Sequence, residues 1–233
     1  MKLKKLCPLI LTLASFAVFA AASPLTITFV SGNGTPVTGT TSPANEQVLY
    51  YPYVINVNGS NLTVACDDFF DHVAAGQTWS GVASTIGDLS QTLFYNGGAG
   101  VNLYKEAFWL FSQFQPAPPN ANEVNAAINY AMWDLFDASA PVLNQVNGDP
   151  TTASNYWLNL ANDQLNNGFT GFDFSRFVVY TPTSWTSDYR PQEFIGEVPE
   201  PATLALFGGG LLLLGFFFKR RLAHHDGDLS ANA

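Results

Sequence analysis

The sequence predicts an α+β fold: a single extracytoplasmic domain with its β portion drawn from both chain ends and its helices central, followed by one C-terminal transmembrane helix. Three observations predict it. Alternating β-rich runs lie before residue 67 and return after residue 171. The stretch between them carries apolar residues at three- and four-residue spacings. An uncharged apolar run at 202–218 is closed at once by Lys219, Arg220 and Arg221.

Taken in order, Lys2, Lys4 and Lys5 precede an apolar run from Leu6 to Ala20, and Ala20 and Ala22 form a small-residue pair after it. That pattern predicts a signal peptide over 1–22, cut after Ala22, and a domain over 23–197. Residues 23–30 alternate as a strand, and a Gly/Thr/Ser/Pro loop follows from Ser31 to Pro43. Residues 46–66 read as two β runs hinged at Asn58-Gly59-Ser60, a hairpin. Over 101–114, Leu103, Ala107, Leu110, Phe111 and Phe114 form a helical stripe that Pro116 to Pro119 stops. A second helix begins at the N-cap Asn122, carries Val124, Ala127, Ile128, Ala131 and Leu135 inward, and ends before Pro141. Residues 153–168 predict a third helix ended by Gly168. Residues 172–182 and 191–198 return to strand character.

Composition narrows the function. Between residues 23 and 201 only Lys105, Arg176 and Arg190 are basic, against sixteen acidic residues. A surface of that sign excludes nucleic acid and disfavours anionic lipid, and it suits an extracellular protein. The aromatic content is that of a chain with a packed core rather than a disordered one.

The C-terminal end is the most specific stretch. Val198-Pro199-Glu200-Pro201, the apolar run 202–218 and the basic stop Lys219, Arg220 and Arg221 follow in fixed order over 198–221. At about 1.5 Å per residue the run spans roughly 25 Å, just under a ~30 Å hydrocarbon core, and its glycines are tolerated in a bilayer. This three-part arrangement resembles the PEP-CTERM sorting signal of Gram-negative bacteria. The resemblance implies a partner, the membrane processing enzyme exosortase, which reads the tail and cuts near Pro-Glu-Pro. It further implies transient anchoring in the membrane through the helix, then residence in the cell envelope or outside the cell. The polar tail 222–233 extends beyond that pattern, and its adjacent His224 and His225 read as solvated residues.

Removal of Cys7 with the signal peptide leaves Cys66 as the one thiol of the mature chain. Cys66 closes a predicted strand, Asp67 and Asp68 follow it, and a helix ending in Trp133 comes later. That order resembles the thioester domains of bacterial surface proteins, loosely over residues 50–195. The resemblance implies a cysteine thiol joined to a glutamine side chain with loss of ammonia, held to acylate a surface nucleophile. Asn129, in the run AINYAMW, occupies the place of that glutamine, with a stem one methylene, roughly 1.5 Å, shorter. Two readings of the pair stand: a covalent adhesin, or a small buried thiol beside a hydrogen-bonded core amide. Gln91 and Gln113 are the other amides able to replace Asn129 if the fold brings them near.

Other chemistry has weaker support. His72, Asp67, Asp68 and Asp71 lie near Cys66 in sequence, but their spacing matches neither a thiol hydrolase nor a calcium loop. Gly97-Gly98-Ala99-Gly100 lacks the lysine of a phosphate loop. The sequence therefore predicts no cofactor, no metal and no enzyme. It predicts an exported envelope or matrix protein that acts by binding an extracellular polysaccharide or another surface ligand.

Overall fold

The structure, a computed structural model, describes residues 24–33, 49–116 and 121–198. Six strands, β1 (Leu25–Asn33), β2 (Tyr50–Val57), β3 (Ser60–Cys66), β4 (Thr78–Ser84), β5 (Phe177–Ser184) and β6 (Phe194–Glu197), form a closed barrel in the order β1-β2-β3-β6-β5-β4. Every neighbouring pair is antiparallel, and β4 closes back on β1 through Leu25 to Thr28. Three helices, α1 (Gly97–Ser112), α2 (Ala121–Phe136) and α3 (Ser154–Asn166), lie in the chain between β4 and β5.

The expected fold class is corrected here. The organising unit is not an α+β domain built around central helices but a closed six-stranded antiparallel barrel, against which the helices pack from one side. The physical reason is that the two β regions pair into one ring, which leaves the helices only its outer surface. The strand Thr78–Ser84 has no counterpart in the sequence reading. No helix among the described residues is long and apolar enough to cross a membrane. The expected transmembrane helix at 202–218, the signal peptide at 1–22 and the polar tail at 222–233 lie outside the described residues.

Two cores share the strands. Inside the ring, Phe194 sits between Phe29 and Trp79 at ring-centroid distances of 6.4 and 6.3 Å, with Tyr53 edge-on at 5.7 Å. Ile27, Ile55, Val64, Cys66, Val178 and Tyr180 complete this filling. A barrel this small encloses side chains rather than a cavity. The alternate residues point outward into the helix core. Phe177 stacks on Phe108 at 5.6 Å, and Val179, Ala65 and Ile195 join the same cluster. Period-two alternation thus explains why the first six residues of β5 are all buried: both of its faces are covered.

The β2–β3 hairpin turns on Asn58 and Gly59, both at positive φ (50° and 94°), as a two-residue turn between twisted strands requires. Gly81 of β4 marks a tighter constraint. A Cβ there would meet Ile27 Cδ1 at 2.6 Å and the main-chain oxygen of Thr181 at 2.8 Å. The second contact has no rotamer with which to yield. Gly81→Ala is therefore expected to destabilise the domain by about 1–3 kcal/mol, the usual cost of overpacking. Urea unfolding of the parent and variant checks this, and an unchanged midpoint would contradict the close approach of β4 and β5.

Candidate functional site

The polar centre of the domain lies where β3 ends and β6 begins, against α1 and α2. Cys66 is the last residue of β3 and pairs with Phe194, so strand alternation turns its side chain into the barrel, fully buried. The thiol Sγ–H donates to the main-chain oxygen of Asp68 at 2.9 Å, and Sγ accepts the Asp68 N–H at 3.3 Å. Burial above all, and then the neighbouring Asp67 and Asp68 carboxyls, push the thiol well above its ordinary range. The Asp68 amide and the Trp133 indole favour the thiolate without offsetting this. Cys66 is held as a protonated thiol, the form that is a poor nucleophile.

Asn129 is also fully buried and does come to Cys66, at its main chain. Its Nδ2 donates to the Cys66 carbonyl at 2.9 Å, and its Oδ1 accepts the Tyr51 N–H at 2.9 Å. One side chain of α2 thereby ties β2 to β3. The carboxamide uses both its ends on these strands, as a structural amide does. His72 is exposed while Cys66 is not, and Gln91 is exposed as well. Gln113 spends its Nε2 on Trp109 and Ser112 at the end of α1.

The sequence reading missed the centre of this site. Glu193, immediately before β6, has no exposed surface, and it gathers donors from three segments. Its Oε2 accepts the Leu93 N–H at 3.0 Å and the Thr181 hydroxyl, and its Oε1 accepts the Tyr104 hydroxyl. Asp67 is equally buried, and neither of its carboxylate oxygens receives a hydrogen bond from a conventional donor. Asp67 and Glu193 influence one another's ionisation. Two carboxylates in an apolar core cannot both stay ionised, and one proton between them satisfies both. Burial first, then Glu193 and Asp68, hold Asp67 well above the usual carboxylate range. The available signal was a glutamate one residue ahead of the apolar run Phe194-Ile195, a position that burial reaches from both faces.

Asp68 closes the arrangement. Its Oδ1 accepts the Phe70 and Asp71 N–H groups at 3.2 and 3.3 Å, and Arg190 Nη2 lies 3.6 Å from Oδ2. Burial, followed by its contact with Asp71, raises its pKa to about 7. Arg190 also pairs with Asp71. Among the described residues no group of three or more His, Cys, Asp or Glu side chains is placed to hold a metal ion. Desolvation at the cluster favours the neutral form of its carboxyls.

The sign of its pH dependence follows. Asp67 and Asp68 both have folded pKa values above their unfolded ones. Their contribution to stability is present below the unfolded carboxylate range and is lost as pH rises through the folded values. Each such proton costs about 1.4 kcal/mol per pH unit across that window, or about 3–5 °C in Tm for a domain of this size. Thermal unfolding between pH 5 and pH 9 is expected to show Tm falling with pH in the parent and falling less in Asp67→Asn, whose amide mimics the protonated acid. Parallel profiles would contradict the shared proton.

No curated protein and no solved structure matches the chain. Val198 leaves β6 exposed, its N–H bonded to the Arg176 carbonyl at 2.8 Å, and Pro199, Glu200, Pro201, Lys219, Arg220 and Arg221 lie outside the described residues. Residues 197–221 match the model of the PEP-CTERM protein-sorting motif, so the chain carries the sorting signal by which exported proteins are directed to exosortase.

Proposed function

We propose that this chain is a cell-envelope or extracellular-matrix protein whose folded body, once the sorting signal is processed, acts by surface binding rather than catalysis. The observation that carries the reading is the junction between body and signal. The matched motif begins at Glu197, which is also the last residue of β6. Every strand of the barrel is therefore complete before the Pro-Glu-Pro segment starts, and a cut beyond Val198 leaves the closed ring whole. The partners of this reading are the exosortase-type enzyme during sorting and an extracellular polysaccharide or other surface ligand afterwards.

A second reading has one observation in its favour: Asn129 is hydrogen-bonded to Cys66, at its carbonyl oxygen. In a covalent adhesin the thiol sulfur would replace the Asn129 amide nitrogen, with ammonia leaving. Against this, the thiol is turned to Asp68 and the amide to two main chains. We favour the free, buried thiol.

In a host with the sorting enzyme, Glu200→Ala is expected to stay membrane-bound and uncut, while the parent is released with its new C-terminus beyond Val198. Release of the variant like the parent would overturn the sorting role of the motif. The intact mass of the mature parent is expected to show no loss of ammonia, and denaturation to expose one titratable thiol per chain. Ammonia loss that Cys66→Ala abolishes would instead establish the thioester. Asn129→Ala, which strands the part-buried Tyr51 N–H and the buried Cys66 C=O, is expected to lower stability by about 2–5 kcal/mol in urea unfolding.

A further inference from the structure

Three aromatic side chains stand in water on two loops at one end of the barrel. The loops are 67–77, which joins β3 to β4, and 185–193, which joins β5 to β6. Tyr189 is 69% exposed, Phe70 53% and Trp185 39%. A large ring left out of the core is the observation that calls for a partner.

The two loops are tied to each other at three points. Arg190, next to Tyr189, pairs with Asp71, next to Phe70. Gln192 Nε2 donates to the Asp68 main-chain oxygen at 3.0 Å, and Gln77 Nε2 donates to Ser187 Oγ at 2.8 Å. Within the loops, Ser187 Oγ donates to the Tyr189 carbonyl at 2.7 Å, and Asp68 Oδ1 holds the Phe70 and Asp71 amides. Phe70 is braced edge-on by Phe69 at 5.1 Å, and Phe69 in turn packs on the buried Trp133 at 5.1 Å. The exposed rings are therefore carried on a preorganised surface, which lowers the entropic cost of binding.

Strand direction decides where this surface lies. At this end β3 and β5 finish and β4 and β6 start, so β6 carries the chain from Phe194 across the barrel to Glu197. The matched motif begins at Glu197, at the opposite end. A body held through its sorting signal thus presents the aromatic loops outward.

We propose that Phe70, Trp185 and Tyr189 form a platform for a neutral polysaccharide. The inference deepens the surface-binding reading and rests on it. Charge and composition select the occupant. Arg190 is the only Lys or Arg of the two loops, and it is engaged by Asp71 and Asp68, while Asp188 is exposed. The excess negative charge repels acidic polysaccharides and anionic lipid, and it sets a second copy of this end against the first. The rings are not part of an aliphatic patch: Ser184 and Thr186 flank Trp185, and Asp188 and Arg190 flank Tyr189. Ring faces separated by hydroxyl and charged groups match a sugar chain, whose C–H faces rest on the negative ring face while its hydroxyls bond to the polar groups between.

The test runs the full chain, in mild detergent, through native gels cast with hydroxyethyl cellulose, glucomannan or dextran, with polygalacturonate as the acidic comparison. At least one neutral polymer is expected to retard the parent, and polygalacturonate is not. Tyr189→Ala and Trp185→Ala are each expected to weaken that retardation about fivefold. Tyr189→Phe, which keeps the ring face, and Tyr95→Ala, an exposed ring outside the two loops, are expected to behave like the parent. Thermal unfolding checks that the alanine variants remain folded, and Trp185→Phe against Trp185→Ala repeats the comparison if Tyr189→Ala is unstable. Retardation that survives loss of both rings, or that Tyr95→Ala weakens equally, would overturn the platform and leave surface binding standing. Retardation by polygalacturonate alone, Tyr189-dependent sedimentation with phosphatidylglycerol vesicles, or self-association that Tyr189→Ala abolishes would overturn the neutral polysaccharide as its occupant. No retardation by any neutral polymer would overturn the proposal, and if host cells also fail to retain the chain the surface-binding reading falls with it.

Discussion

The insertion of β6 between β3 and β5 is the constraint on which the rest of the structure depends. Only four residues long, it pairs with Val64 to Cys66 on one side and with Phe177 to Tyr180 on the other. Without it the five remaining strands form an open sheet with two unpaired edges. Phe194 points inward and organises the ring of Phe29, Tyr53 and Trp79, while Ile195 points outward to the helices. A single short strand therefore holds both cores, and it does so from the far end of the domain, more than a hundred residues after its partner β3.

The buried carboxyl pair is a consequence of the same insertion. Glu193 precedes Phe194 directly, and Asp67 follows Cys66 directly, so the pairing of Cys66 with Phe194 brings the two acids together one step beyond the ladder. The desolvation this imposes is offset at Glu193 by the Tyr104 and Thr181 hydroxyls and the Leu93 amide. The thiol of Cys66, on the other face of the strand, is silenced by the same environment that confines the carboxyls. Asn129 adds a third tie from α2, so strand closure, helix docking and the polar centre belong to one connected set of hydrogen bonds.

Sorting and folding share a boundary. The matched signal starts at the last residue of the strand that completes the barrel. The acidic body and the basic stop are segregated along the chain, with Lys219, Arg220 and Arg221 beyond the signal's apolar run and few cations before it. Residues 23–197 thus carry fifteen acidic side chains against three basic ones, and the cationic cluster follows the apolar run.

By itself the sequence determined what depends on local order and spacing. The sorting motif is a contiguous string, the Asn58-Gly59 hairpin is set by two residues that tolerate positive φ, and the helical stripes are read at three- and four-residue spacing; all three were legible without coordinates. The sequence paired Asn129 with Cys66 only through a resemblance; that the carboxamide meets the Cys66 carbonyl rather than its thiol was decided by the fold, because it chooses among a thiol, a carbonyl and an amide only when the strands are fixed. Tertiary structure alone decided that the β regions close into a barrel rather than lie as a sheet beneath central helices, since alternation reports that a strand has two faces and not which strand lies beside it. It alone decided that Glu193 meets Asp67. That encounter joins residues 126 positions apart in the chain, and its driving force is the burial of Phe194 and Ile195, which carries the neighbouring acid inward against its own preference for water.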